Sequence, residues 1–413
     1  MPVRGASKSM SIVRILDEVR RDLSHRPRLP RPPRFGLRRT VPALAFLVAV
    51  VIAVDLVVWG DLEDREQRSA ATVGAVEGPH GRFVAAGPAT TPQVAALKTV
   101  HRPHLFVVAR AAIPGEILAR VLATKGVAGA EMVDAAEVTL DGKKVATMGV
   151  APSTFRAFTP KSTARSDALW ANVAAGDVAV SFDLGNDGGL ALGSTVSGGG
   201  RPLRVGAYAT MGIGSIAAVV SHETAAALGI PAGNAMVISA PKLDAGKLRK
   251  ALLKVLPKGS QVAMINPVAP VGRTAWPQTA FMSLPQLRQA LTAAAGKLGR
   301  PYVWGAEGPD YFDCSGLVQW AYAQAGVRMP RVAAQQWASG LEVPLSQAQP
   351  GDLLFWRNDP TNPGYISHVA IYWGGGKMLH APHTGDVVRI ASIYTKNLAG
   401  VVRVSPQVAA QVR

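Results

Sequence analysis

The sequence predicts an α+β protein in three parts: a single apolar segment near the N-terminus, a middle α+β domain, and a C-terminal α+β domain in which a helix starting at a cysteine packs on an antiparallel sheet. Three observations carry this reading. An unbroken apolar run, Val41–Val54, interrupted only in composition by Pro42, follows a tail dense in arginine. Between about residues 96 and 266, strand-like alternation and a hairpin signal interleave with helical patterns. Beyond residue 283 the only cysteine of the chain sits where a turn becomes a helix, followed by two histidines whose midpoint is Gly374, the first of three glycines.

Composition narrows the classes. The 413 residues carry a formal charge of +17, which points to polyanionic surroundings such as nucleic acid, anionic lipid or a bacterial cell wall. Residues 1–39 hold eleven Lys or Arg (Arg4, Lys8, Arg14, Arg20, Arg21, Arg26, Arg28, Arg31, Arg34, Arg38, Arg39) against Asp17, Glu18 and Asp22, so about half of that charge is in the tail. The remainder of the chain has no nucleic-acid signature, and no nucleic-acid partner is expected. One cysteine excludes an intramolecular disulfide framework and a Cys-cluster zinc site.

The segment 40–60 reads as a transmembrane signal anchor. As a helix, Val41–Gly60 would reach about 30 Å, the thickness of a hydrocarbon core. Asp55 falls toward its outer end, where a charge costs less than at the centre, and Trp59 suits the interface. Arg34, Arg38 and Arg39 assign residues 1–39 to the cytoplasm and the rest to the outside. The alternative is a signal peptide with secretion after cleavage. No good small-x-small site follows the run, and Asp61-Leu62-Glu63-Asp64 comes directly after it.

Residues 61–95 read as a linker leaving the membrane, polar and then rich in Ala, Gly and Pro. The middle domain, 96–266, opens with a buried strand at Leu105–Val108 and a short helix at Gly115–Ala123. Asp141-Gly142 is a two-residue hairpin signal between Glu137–Leu140 and Lys143–Ala146. Val178, Val180 and Phe182 alternate onto one strand face, and Leu203–Val205 and Ala217–Val220 are further strands. Asp244 caps an amphipathic helix through Leu256. His222-Glu223 follows Ser221 and reads as a helix start rather than a ligand pair. No nucleophile, base and acid converge in this region. With Met148–Pro152 and Leu192–Val196, its order of pieces resembles the periplasmic core domain of MacB/FtsX-type permeases. That resemblance implies an interaction module without an active site, with a membrane-complex partner as its natural target.

A second linker, 267–282, is marked by Pro267, Pro270 and Pro277. The last domain, 283–405, begins with a capping box at Ser283-Leu284-Pro285-Gln286 and a helix carrying Leu284, Leu287, Leu291, Ala294 and Leu298 on one face, ending at Gly299. Leu317, Val318, Ala321, Tyr322 and Ala325 then recur at helical spacing after Cys314, with Asp313 near the N-cap. Free N–H groups and the helix dipole at such a start favour a thiolate. Ser367–Trp373 is a strand with His368, Ala370 and Tyr372 on one face. Gly374-Gly375-Gly376 turns the chain back through Lys377–Ala381, so a hairpin there brings His380 opposite His368 or one diagonal away. An arbitrary lone cysteine is a small buried side chain, and an arbitrary histidine is a satisfied one. Two histidines facing each other beside a helix-start cysteine point to nucleophilic catalysis.

At these residues the sequence closely resembles the NlpC/P60 family of papain-like cell-wall peptidases. The match runs from about Leu284 to Val404 and includes Pro301–Gly305, Asp313–Val318, Pro330-Arg331, Pro350–Leu353, His368–Tyr372 and His380-Ala381-Pro382. The resemblance implies Cys314 as nucleophile, His368 as general base and then acid, and His380 as the residue orienting His368. It implies Tyr302 beside the oxyanion, and Asp313 and Ser315 where the free amino end of a stem peptide binds. His383 falls outside the pattern and reads as a surface residue. The implied reaction is hydrolysis of peptidoglycan stem peptides, most often between D-γ-glutamyl and a diamino acid, with no cofactor and no metal. A catalytically silent wall-binding or scaffolding protein and a papain-like acyltransferase are the alternatives.

Overall fold

The computed structural model describes residues 83–87, 92–265 and 276–412; the basic tail and the expected anchor at 40–60 lie outside the described residues. Among the described residues no helix is long and apolar enough to cross a membrane. In chain order the middle domain runs β1 (Leu105–Val108), α1 (Gly115–Ala123), β2 (Gly129–Leu140), β3 (Lys143–Val150), α2 (Pro152–Phe155), α3 (Lys161–Ala164), α4 (Asp167–Ala174), β4 (Val178–Val180), α5 (Phe182–Asn186), β5 (Thr195–Gly198), β6 (Arg201–Tyr208), β7 (Ala218–Ser221), α6 (His222–Ala227), β8 (Ala235–Ser239), α7 (Ala245–Val255) and β9 (Gln261–Met264).

The length of β2 lets it serve two pairings. Gly129–Val133 pairs with β8, and Asp134–Leu140 pairs with β3. The order β3-β7-β4-β6-β5-β2, with β2 also paired to β3, closes on itself, and β8-β1-β9 extend from β2. Closure removes the exposed strand edges that invite pairing with other chains. Alternation divides the side chains: Val138, Leu140, Val178, Val180, Leu203 and Val205 gather in one cluster, while Ala135, Met148, Val150 and Val219 meet Phe155, Leu169 and Trp170 in another. The β2–β3 turn has Asp141 at φ 44° and Gly142 at φ 76°, the mirror-image two-residue turn that Asp-Gly favours. Asp244 and Ser221 cap α7 and α6 through Lys247 N and Thr224 N, as their sequence positions predict. The segment before residue 96 is not wholly a linker in structure, because Val84 bridges to Ala207 and is buried.

The C-terminal domain runs α8 (Leu284–Ala295), α9 (Cys314–Gln324), α10 (Ala333–Gln336), β10 (Gly340–Val343), β11 (Leu353–Trp356), β12 (His368–Gly374), β13 (Lys377–His380), β14 (Arg389–Ser392), β15 (Leu398–Val404) and α11 (Pro406–Gln411). Its strands form an antiparallel sheet in the order β10-β15-β11-β12-β13-β14. The helix α9 packs against both α8 and β12, which carries Cys314 to the start of the His368 strand. Ser283 and Gln286 form the expected capping box. The apolar face of α8 is narrower than its spacing predicts: Ala290, Leu291, Ala294 and Ala295 are buried, while Leu284 and Leu298 are exposed. The helix ends at Ala295, so Leu298 falls in the following turn.

The turn before β11 fixes the other end of α9. Gly351 takes φ 90°, and its carbonyl accepts a 2.5 Å hydrogen bond from the buried Tyr322 hydroxyl. A Cβ at Gly351 would stand 2.6 Å from Leu287 Cδ2 of α8. The turn therefore needs glycine for conformation and for space. The two domains touch beside the cysteine. Thr210 N donates to Thr361 Oγ1 at 3.1 Å, Ser162 Oγ to the Thr361 carbonyl at 3.2 Å, and Asn362 Nδ2 to the Thr210 carbonyl at 3.4 Å. Thr384 Oγ1 donates to the Asp187 carbonyl, and Trp304 packs on the Val138–Val205 cluster of the middle domain.

Candidate active site

Cys314 is the first residue of α9, and Asp313 is its N-cap, with Oδ1 accepting from Gly316 N at 2.7 Å. The carboxylate is fully committed to local structure. Arg331 grips it with Nη2 at 2.5 Å from Oδ2 and Nη1 at 3.1 Å from Oδ1, and Gly305 N donates to Oδ2 at 3.1 Å. Arg331 Nη1 also donates to Ser315 Oγ at 3.0 Å, and Arg331 Nε to Glu307 Oε1 at 2.9 Å. Asp313 and Ser315 are both buried. These two expected substrate-contacting residues thus sit beside the cysteine, with their polar atoms already engaged by Arg331. Gln336 Nε2 ties the same turn down through the carbonyls of Ser315 and Pro330, at 2.9 and 2.8 Å.

The hairpin does what its symmetry predicts. Ile371 lies opposite Leu379, so Ala370 faces His380 and His368 is one diagonal away on the same face. His368 Nε2 and His380 Nδ1 are 3.0 Å apart, and the His368 ring leans on Trp356 at 5.6 Å between centroids. Both histidines are buried. Burial, with His380 and His383 nearby, lowers His368 to about 3; burial and the Arg389 charge lower His380 to about 4. Both imidazoles are therefore neutral at neutral pH. For Nδ1 of His368 to accept a proton, its Nε2 must carry the hydrogen and donate it to His380 Nδ1. His380 Nε2 is then a buried N–H without a partner.

The thiol differs from its expectation. Cys314 is partly exposed to the cavity but closely enclosed by protein, and burial, with Asp313 and then Asp183, pushes it up to about 12. The Val369 N–H and Arg331 act in the opposite direction and do not prevail. The helix start does not outweigh desolvation and nearby carboxylates, so the resting pair is a neutral thiol and a neutral imidazole. Tyr302 is buried, with its backbone N–H on the Asp386 carbonyl at 2.9 Å, and its phenol is raised by burial and by Cys314.

Cys314, His368, His380, Tyr302, Asp313 and Ser315 all line one cavity of about 720 Å³. Sequence reasoning missed Arg331 as the partner of Asp313, although the Pro330-Arg331 pair was visible. It also missed the middle-domain residues that share the cavity. His383 is exposed, as expected, yet stands at the cavity rim. Among the described residues no group of three or more His, Cys, Asp or Glu is placed to hold a metal ion.

A cysteine at a helix start thus shares one cavity with two coupled imidazoles on an antiparallel hairpin. Residues 299–403 match the NlpC/P60 family and form a domain of that family. Among its relatives, "Probable endopeptidase p60" of Listeria grayi is 45% identical over 97 residues, covering 23% of this chain and 18% of the relative. The "Gamma-D-glutamyl-L-lysine dipeptidyl-peptidase" of Bacillus subtilis (strain 168) is 43% identical over 110 residues, covering 26% of this chain and 37% of the relative. The solved structure of RipD from Mycobacterium tuberculosis, described as a non-catalytic NlpC/p60 domain protein adapted to peptidoglycan binding, is 31% identical, covers 29% of this chain and 98% of that one, and superposes with a TM-score of 0.26. This chain spans well under half the length of these curated relatives.

Proposed function

We propose that this protein is a peptidoglycan endopeptidase that hydrolyses stem peptides at the cell envelope, between D-γ-glutamyl and a diamino acid, with Cys314 as nucleophile. The observation that carries the reading is the 3.0 Å His368–His380 contact in the same cavity as a helix-start cysteine. Because both groups rest neutral, the proton moves as the bond forms. His368 takes the Cys314 proton while Sγ attacks the scissile carbonyl, and the imidazolium is held by His380. The negative oxygen that develops lies near the Tyr302 hydroxyl and the free N–H groups at the start of α9. His368 then gives the proton to the departing amine, leaving a thioester on Cys314. Water, deprotonated by His368, releases the acid and restores the thiol.

The names of the relatives support the substrate class, and the intact Cys314, His368 and His380 set supports hydrolysis over a silent wall-binding role. The anchor at 40–60, the outward orientation of the remainder, and a membrane-complex partner for the middle domain are part of this proposal and rest on sequence pattern alone. Incubating the protein with a purified stem peptide that bears a free amino end, then weighing the products, tests the function. Two fragments whose masses place the break after the γ-glutamyl residue support it. Transfer of the acyl part to an added amine would favour the acyltransferase, and an intact peptide would favour the scaffold.

A further inference from the structure

The cavity in front of Cys314 has walls from both domains. The middle domain contributes Ser181, Phe182, Asp183, Asp187 and Thr210, and the C-terminal domain contributes the cysteine and both histidines. The interdomain hydrogen bonds run through Thr210, Ser162 and Asp187 on one side and Thr361, Asn362 and Thr384 on the other. Among the described residues no middle-domain group hydrogen-bonds to the side chains of Cys314, His368 or His380. Cys314 keeps some exposure, and about 720 Å³ stays open before it. A docked plug would fill that space. This wall leaves room for a peptide, since binding clefts for small ligands run to ~300–1,000 Å³.

The charges lining the cavity nearly all pair off. Lys144 meets Glu137 at 3.3 Å, Arg331 meets Glu307 at 2.9 Å and Asp313 at 2.5 Å, and Arg389 meets Asp386 at 2.9 Å. Asp187 accepts from Asn186 Nδ2 at 3.0 Å and feels His383. Asp183, in the first turn of α5, has no cation and no hydrogen-bond donor on its carboxyl among the described residues. Burial and then the neighbouring Asp359, Asp187 and Asp313 hold that carboxyl well above the usual range. Asp183 lines the same cavity as Cys314, Tyr302 and Tyr365. His380, whose buried Nε2 is also without a partner, is another residue of this cavity. A half-buried carboxyl on the cavity wall, without a partner of its own, is stabilised most by an incoming cation.

We propose that the middle domain forms one wall of the substrate cleft, and that Asp183 is a specificity-determining residue that recognises a primary ammonium on the peptide bound at Cys314. This rests on the peptidase reading for its substrate, and its test does not. The ammonium belongs either to the amino end of the peptide or to the side chain of a diamino residue.

Because Cys314 is the only cysteine, thiol-specific probes report on this cleft alone. In the full chain, methanethiosulfonates bearing an ammonium, a neutral methyl or a sulfonate are compared by intact mass. In each case the thiolate attacks the sulfenyl sulfur, a mixed disulfide forms and methanesulfinate leaves. The wild-type protein is expected to react faster with the cationic probe than with the anionic one. Asp183→Asn should lower that ratio by about tenfold or more, and Asp183→Glu should largely keep it. An unchanged ratio, or all three rates rising together as for a removed plug, overturns the proposal. Stem peptides acetylated at the amino end or at the side-chain amine then tell the two sources apart. Acetylation of the recognised amine should cost the wild-type protein kcat/KM and cost Asp183→Asn almost nothing; equal penalties in both proteins contradict it. If no peptide is cleaved, the peptidase reading fails, and the probe ratio still decides the role of Asp183.

Discussion

Removing Arg331 should injure the site more than its position in a loop suggests. The guanidinium is 24% exposed and the Asp313 carboxylate 10%, so the pair is largely withdrawn from water. Arg331→Ala deletes two hydrogen bonds to Asp313, one to Ser315 and one to Glu307. Breaking a buried pair from one side costs about 3–5 kcal/mol, because the surviving charge stays buried. Here the Asp313 carboxylate keeps Gly305 N, Gly316 N and the helix dipole, which reduces the expected loss to about 2–3 kcal/mol. For a unit of this size that corresponds to a fall of roughly 5–10 °C in melting temperature. Activity should fall further than stability explains. The Arg331 charge lowers the Cys314 thiol toward ionisation, while Asp313 raises it, so the variant leaves the carboxylate unopposed. Arg331→Lys keeps the charge but not the two-pronged grip and should recover activity only in part. Thermal unfolding and single-turnover hydrolysis measured on the same preparations check both effects. Loss of less than about 0.5 kcal/mol, with unchanged turnover, would refute the view that this pair positions the nucleophile.

His380→Ala is expected to lower turnover less than His368→Ala, because it removes an orienting partner and leaves the base in place; steady-state rates on one stem peptide check this, and equal losses would reverse the two roles. His368 sets a pH dependence of known sign. Its native value of about 3 lies below its ordinary 6.5, so the unfolded chain holds the extra proton between them, and His368 opposes folding increasingly as pH falls through that window. His368→Gln should therefore lose less stability than the wild-type protein between pH 7 and 4.5, read as urea midpoints; parallel curves would contradict the buried neutral imidazole. Gly351→Ala should cost about 1–3 kcal/mol, since it combines a φ of 90° with a Cβ 2.6 Å from Leu287 Cδ2; chemical denaturation checks it, and a neutral change would mean that the turn is not constrained.

Local signals carried the parts of the structure that are encoded locally. Asp141-Gly142 dictates its own turn, Ser283-x-x-Gln286 its own cap, and Asp313 the start of α9. The same-face placement of His368 and His380 followed from a hairpin at Gly374–Gly376, and the observed register, centred one residue later than Gly374, sets them one diagonal apart. Other elements lacked such marks. β8 is buried on both faces, so Ala235–Ser239 shows no alternation, and β15 finds its place between β10 and β11 only through distant partners. The outer leucines misled because Leu284 is the first residue of α8 and Leu298 lies in the turn beyond its end, where the core no longer covers them. The thiol expectation failed for a related reason. The N-terminal position of Cys314 is local, whereas its desolvation and the carboxylates around it are assembled by both domains. Asp183 was invisible as a site residue for the same cause: the residues with which it shares the cavity, Cys314 and Asp313 among them, are far away in sequence.

The central claim is that Cys314 carries the acyl group. The most direct test mixes the protein with a stem peptide, quenches within the first turnover in acid, and weighs the intact chain and its fragments. The account predicts a transient mass increase equal to the amino-terminal part of the peptide less water, located on the fragment containing Cys314, and no hydrolysis by Cys314→Ala. Hydrolysis that persists in Cys314→Ala, or an adduct on any other residue, would contradict it.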